Sequence, residues 1–412
     1  MTTAVRAFSE VQDTRTVAAP RVVSIDVFRG LTMMVMIFVN ELASVHGMPW
    51  WTEHAPGNVN VMTYVDMVYP FFLFALGMSL PLSVAQRLKR DPSQGRLWLH
   101  VLVRAGALIV LGLILANAEK ADAARMGFSG GLWALIGLLS AALYLNVYGK
   151  SERSATLFRG LRWLGFAGVV VIYALFRRHG AGGHELWIDG SYPEILGLVG
   201  YTYLAVAVLY LPTRRWKWAP VGWFVLLLVF CSLSTMKIVM LPGKLPLYKW
   251  PFDNGAMASI VIAGVIVSSL FLGRDRRRTP GSAIGWAVGF AMLALIAGWL
   301  LEPLGISKIR ATPTWALYSA GAATLLFTLL YWVCDVKQWQ RWAWWLRPAG
   351  DNTLLTYLLP DLWYFLMVSL GITYFDTHWS TGWAGVAKTL LFTFAVLGIA
   401  GALTRAKIRL QL

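Results

Sequence analysis

Residues Val22–Ser83 read VVSIDVFRGLTMMVMIFVNELASVHGMPWWTEHAPGNVNVMTYVDMVYPFFLFALGMSLPLS. Two hydrophobic spans, each interrupted by polar residues, flank a short loop that carries Trp and His. Asp26, Arg29 and Asn40 are the odd residues of the first span. At about 100° per residue, Arg29 falls roughly 60° and Asn40 roughly 40° from Asp26, so the three share one narrow helical face. The rise from Asp26 to Asn40 is about 21 Å, most of the hydrocarbon depth of a bilayer. Polar groups at that depth are costly unless they face protein or water. The face therefore predicts a polar cleft or a buried network. Simpler arrangements also fit: Asp26 and Arg29, one turn apart, can pair at the membrane surface, and Asn40 can bridge two helices.

The second span adds Asp66, a few residues in from the loop, as Asn40 is on the other side. This spacing puts the two at similar depth in adjacent antiparallel helices. His54 lies between them in WWTEHAPGN. An imidazole held over a cleft by a short loop suits a general base, although a lone loop histidine is more often an ordinary surface residue. His46 shares the loop and is its rival. Trp50 and Trp51 suit interfacial anchors or a stacking surface for a sugar ring. Asp66 or Glu53 is near enough in sequence to orient the ring.

Composition restricts the class. The 412 residues are 58% hydrophobic and only 14% charged, with 21 Trp. No soluble domain of this length needs so much apolar material, so the chain reads as an all-α polytopic membrane protein. Apolar runs fall near 24–45, 60–86, 97–118, 131–149, 160–177, 193–212, 218–237, 255–273, 282–301, 312–334, 351–370 and 382–404. That gives about 11–12 transmembrane helices, with 342–359 the ambiguous region. The net charge of +16 belongs to topology rather than to nucleic acid, because 25 of the 36 Lys and Arg fall on or near one set of connections and nine on the other. Arg104 and Lys388 fall within spans. By the positive-inside bias both termini are cytoplasmic and His54 faces the opposite compartment. Residues 1–21 read as a cytoplasmic tail without a cleaved signal, and 22–412 as a single transmembrane domain.

Other features have modest readings. Cys231 and Cys334 lack metal-ligand spacing, and no zinc pattern or phosphate-cradling glycine loop is present. The run Lys337–Arg347, KQWQRWAWWLR, has the composition of an amphipathic interfacial helix. Arg274, Arg276, Arg277 and Arg278 read as a topology signal, Glu302 and Asp361 as solvated helix ends, and His179, His184 and His378 as solvated loop residues. His100 lies near a cytoplasmic helix start.

The quoted hairpin resembles the heparan-α-glucosaminide N-acetyltransferase family and its bacterial relatives in amino-sugar operons, within a wider superfamily of membrane acyltransferases. The resemblance rests on D-x-F-R-G at Asp26–Gly30, F-V-N at Phe38–Asn40, the H-x-x-x-N segment of His54 and Asn58, and D-M-V-Y-P-F-F-L-F at Asp66–Phe74. It continues more weakly through Arg104, Gly112 and Asn117, through Asp253, and through Asn352. A family segment with Gln and Arg appears here with Ser140 and Ala141 instead.

The resemblance implies transfer of acetyl from cytosolic acetyl-CoA to the amine of a glucosamine unit across the membrane, with His54 as the active-site histidine and Asn40 as its companion. Both an acetyl-histidine intermediate and direct transfer remain open. The residues fit: neutral His54 can deprotonate an amine, Asp66 or Glu53 can orient it, and Asn40 can donate to a developing oxyanion. Arg29, fixed by Asp26, can meet CoA phosphates. Trp50, Trp51, Glu53 and Asn58 are the expected substrate contacts. No metal is expected. The expected setting is a bacterial inner membrane, as a possible homodimer. The alternative is an inner-membrane transporter of an amino sugar such as N-acetylglucosamine, since twelve spans also suit secondary transporters; a non-catalytic scaffold is the third reading.

Overall fold

The computed structural model of the chain describes residues 22–149, 154–180, 184–239, 254–272 and 279–411. The tail 1–21, Asp253 and the arginines Arg274, Arg276, Arg277 and Arg278 lie outside the described residues. Twelve long helices follow one another: α1 Val23–Leu42, α2 Val65–Arg90, α3 Gln94–Asn117, α4 Gly130–Leu145, α5 Ala155–Leu175, α6 Glu194–Thr213, α7 Ala219–Thr235, α8 Ala256–Leu272, α9 Pro280–Leu300, α10 Pro313–Tyr331, α11 Thr353–Leu370 and α12 Gly382–Arg405. Each falls on one of the twelve apolar runs. Among the described residues nine are long and apolar enough to cross a membrane, and α4, α7 and α8 are shorter apolar helices. The chain is an all-α polytopic membrane protein.

Long-range hydrogen bonds sort the connections between two ends of the bundle. At one end the α1–α2 loop meets the α11–α12 loop, where His46 N donates to Ser380 O at 2.7 Å and Gly382 N to His46 O at 3.2 Å. Asn254, before α8, donates to Ala311 O at 2.7 Å, before α10. At the other end Arg214 Nη2, after α6, donates to Gln94 Oε1 at 3.0 Å, at the start of α3. These contacts have the alternation that twelve successive crossings require.

The core is built around α8. Twelve of its 17 residues are buried, the pattern of a helix enclosed on all sides. It presses on α2 where Gly77 faces Gly264: a Cβ on either glycine would drive into the facing backbone, at Val261 O and Phe74 O. By contrast α5 buries only Gly165 and Ile172, as a helix facing lipid does.

The first helix has no Ser, Thr, Asp or Asn at its N-cap, because Val22 stands there. Its free amides are satisfied from far along the chain. Val23 N donates to Asp335 Oδ1 at 2.9 Å and Ser24 N to Asp335 Oδ2 at 3.0 Å. A carboxylate at a helix N-terminus also complements the helix dipole. Asp335 belongs to a π-helical turn, Trp332–Val336, that prolongs α10. The motif glycine Gly30 has a steric role: a Cβ there would collide with Leu346 O, and one on Gly350 with Asp26 O, so α1 crosses the short helix Arg347–Asp351 at van der Waals contact.

One expectation fails. Lys337–Arg347 is not an interfacial helix but an irregular segment with a single 3-10 turn, Arg341–Ala343. Gln338 sits at φ +59°, which breaks a right-handed helix. Trp339, Trp342 and Trp344 are nevertheless exposed, so the aromatic surface that suggested anchoring survives without the helix.

Candidate active site at one end of the bundle

Asp66 is the second residue of α2 and is only 1% exposed. A buried carboxylate needs donors, and the incoming loop supplies them. His54 Nδ1 lies 2.7 Å from Asp66 Oδ1. Ala55 N and Thr63 N donate to Oδ2 at 3.2 and 3.0 Å. The Thr63 hydroxyl donates to Glu53 O at 2.8 Å and so closes the loop on itself. Trp315 Nε1 of α10 donates to Asp66 O at 3.1 Å. The loop is thus folded around one carboxylate, and His54, 44% exposed, is held at its rim.

Asp66 is accepting at Oδ1, which assigns the proton of a neutral His54 ring to Nδ1 and leaves a lone pair on Nε2. That nitrogen is met by a residue from the α9–α10 loop, half-buried Lys308, whose Nζ lies 3.2 Å from Nε2 and 3.4 Å from Nδ1. Only the Nε2 contact can be a hydrogen bond when Nδ1–H is committed to Asp66. Burial holds the Lys308 ammonium below the usual lysine range, against the opposing pull of the Asp66 and Glu194 carboxylates. The arrangement is a carboxylate bound to one edge of an imidazole and an amine set beside the ring, nearly equidistant from its two nitrogens. Lys308 lies 254 residues from His54 in a short polar loop, and no spacing in the chain joins the two.

The other predicted residues take varied places. Val39 and Val65 share one apolar cluster, so Asn40 and Asp66 lie at similar depth as the spacing required. Asn40 itself is exposed, as are Glu53 and Asn58. Among the described residues none of these three side chains bonds to His54 or Asp66. Asp66, not Glu53, orients the ring. Trp50 and Trp51 are 66% and 52% exposed, with Trp51 tilted against Tyr64 at 6.2 Å between ring centroids. Asp26 and Arg29 are half-buried toward the opposite end of α1, and Arg29 Nη2 donates to Thr353 Oγ1 at 3.0 Å. Lys388, the lone cation of α12's interior, pairs at 2.9 Å with Glu41, next to Asn40.

The rival His46 is used through its backbone in the contact with the α11–α12 loop, and its ring has no hydrogen-bond partner among the described residues. Asp361 departs from expectation. It is no helix end but the ninth residue of α11, within electrostatic reach of Glu194 and Tyr357.

Residues 21–250 match the profile of a family described as a domain of unknown function, DUF5009. The chain belongs to the DUF5009 family. This DUF5009 protein is also similar to human heparan-alpha-glucosaminide N-acetyltransferase, with 38% identity over 98 residues, 24% of the chain and 14% of the human protein. The mouse protein of the same name is 35% identical over 105 residues, 26% of the chain and 15% of that protein. The matches therefore span about one seventh of the length of these curated relatives.

Proposed function

We propose that the chain is a transmembrane acetyltransferase that moves acetyl from acetyl-CoA to the amine of a glucosamine-type sugar bound beside His54. The observation that carries this reading is the His54–Asp66 pair, a buried carboxylate fixing a solvent-facing imidazole at 2.7 Å. The similarity to two N-acetyltransferases supports the reaction class.

In this reading Nε2 of His54 is the reacting atom. The amine nitrogen attacks the thioester carbonyl, a C–N bond forms and the C–S bond breaks. The proton lost by nitrogen goes to Nε2, while Asp66 stabilises the imidazolium that results. The departing thiolate takes that proton from the imidazolium, which returns His54 to its neutral form, and Asn40 donates to the carbonyl oxygen as it gains charge. Lys308 must leave Nε2 for the acceptor to reach it. Arg29 and Asp26 serve the donor's phosphates at the opposite end, and Trp50, Trp51, Glu53 and Asn58 bound the sugar. In this reading the His54 end faces the periplasm of an inner membrane and the Arg29 end the cytosol, an orientation that the positive-inside bias supports.

The test is transfer from labelled acetyl-CoA to glucosamine by purified protein, wild type beside His54→Ala. Transfer that disappears in a folded His54→Ala variant supports the reading. No transfer to any amino sugar, together with N-acetylglucosamine uptake into liposomes without acetyl-CoA, sinks it in favour of transport.

A further inference from the structure

The α9–α10 loop reaches His54 as a clamped segment. Ile309 lies on Gly57, where a Cβ would meet its Cγ2 at 3.1 Å. Arg310 Nη2 donates to Val59 O at 3.4 Å and to Asn60 Oδ1. Behind them Ser307 N donates to Thr312 Oγ1 at 3.1 Å, and Ala311 O accepts from Asn254 Nδ2 at 2.7 Å. Ala311 is held at φ +48°, in the left-handed region that a β-carbon disfavours. Such a conformation persists where its surroundings over-determine it. Lys308 sits within this stretch, so its place beside the imidazole is fixed from both sides.

A lysine drawn out of water for a structural task pairs with a carboxylate. Lys308 does not. Among the described residues its only polar contacts are the two ring nitrogens of His54, at 3.2 and 3.4 Å. Its lowered basicity enlarges the share of free amine, the form in which a lysine is a nucleophile. An acceptor amine served by His54 must stand within hydrogen-bond reach of Nε2, about 2.6–3.2 Å. Lys308 Nζ already stands there.

We propose that Lys308 is an acetyl acceptor in its own right, modified by the chain itself with His54 as the base. The free amine attacks the carbonyl carbon of an acetyl thioester, a C–N bond forms and the C–S bond breaks. The proton lost by Nζ passes to Nε2 of His54, and the imidazolium returns it to the departing thiolate. The flexible stem of the lysine lets the amine turn that proton toward the Nε2 lone pair. The product is an uncharged N-acetyl-lysine, which removes the cation from beside the ring. The thioester donor rests on the acetyltransferase reading. The nucleophile does not, because any activated acetyl ester reports it.

The experiment incubates the purified full chain in neutral detergent without sugar, with labelled acetyl-CoA in one arm and p-nitrophenyl acetate in the other. Peptide mass spectrometry reads acetylation at each lysine. Lys308 should label about tenfold or more faster than the exposed Lys337 and Lys407. His54→Ala should slow Lys308 about 10²-fold and leave the other two unchanged. His54→Gln repeats the test where alanine loosens the loop, and melting curves verify the fold. Labelling from the ester but not from acetyl-CoA supports the nucleophile and counts against acetyl-CoA as the donor. Glucosamine acetylated while Lys308 stays unlabelled overturns the proposal and leaves the transfer reading standing. The proposal also falls when neither donor labels Lys308, when Lys308 labels no faster than Lys337, or when wild type and folded His54 variants label alike.

Discussion

Replacing Asp66 by Asn separates the structural from the chemical role of the buried carboxylate. Alanine at this position would strip acceptors from the amides of Ala55 and Thr63, now at 3.2 and 3.0 Å. At about 1–3 kcal/mol for each buried unpaired donor, that loss endangers the loop itself. Asparagine keeps the shape. Its oxygen can accept from the two amides, and its NH2 then faces His54 Nδ1. Two donors cannot share that 2.7 Å contact, so the ring must move its proton to Nε2. The reverse orientation is worse, because it points NH2 at both amides. Asp66→Asn should therefore fold and melt close to wild type, with the Nε2 lone pair lost. Loss of a positioned base lowers transfer about 10²- to 10⁴-fold, equivalent to about 3–5 kcal/mol of barrier. The assay is initial-rate transfer of labelled acetyl to glucosamine, run beside a thermal melt. Transfer within about threefold of wild type in a folded Asp66→Asn protein would refute the tautomer argument.

Further expectations concern stability. The folded-state value of Lys308 is lowered from 10.5 by burial, so between that lowered value and 10.5 the unfolded chain binds more protons than the folded one. Wild-type Tm should therefore rise relative to Lys308→Met as pH increases through this interval, and parallel curves would contradict the buried-amine account. Asn352 is tied to Thr404 Oγ1 at 3.0 Å, Ile408 O at 2.9 Å and Leu410 N at 3.1 Å; Asn352→Ala should cost about 2–4 kcal/mol and expose the C-terminal segment to limited proteolysis. A proteolysis pattern identical to wild type would remove that role. Gly30→Ala should destabilise by about 1–3 kcal/mol, because its Cβ meets the Leu346 carbonyl; an unchanged melt would mean that the crossing yields.

Much of the fold is legible in the chain because a bilayer demands long apolar runs, and all twelve runs became helices. Asp66 was legible for the same reason: a carboxylate in a hydrophobic run has few acceptable partners, and His54 was the nearest. The partners that come from afar were not. Lys308 sits in an ordinary polar turn, and only the packing of α10 against α2 brings it to His54. Asp335 likewise looks like a terminal solvated acid until α1 is docked on α10. The Trp- and Arg-rich run after it misled because side-chain composition is indifferent to the backbone, whereas Gln338 at φ +59° decides the course of the chain.

The cap on α1 carries a consequence for biosynthesis. Val23 and Asp335 are 312 residues apart, so at about 5–20 residues per second the first helix waits about 15–60 s for its carboxylate. During that time nine further helices enter the membrane while the first turn of α1 relies on water or lipid headgroups. The crossing at Gly30 and Gly350 closes later still. The hairpin that carries His54 and Asp66 is thus made first and locked last, and a ribosome-stalled chain ending before Asp335 should hold α1 in a protease-sensitive, undocked state.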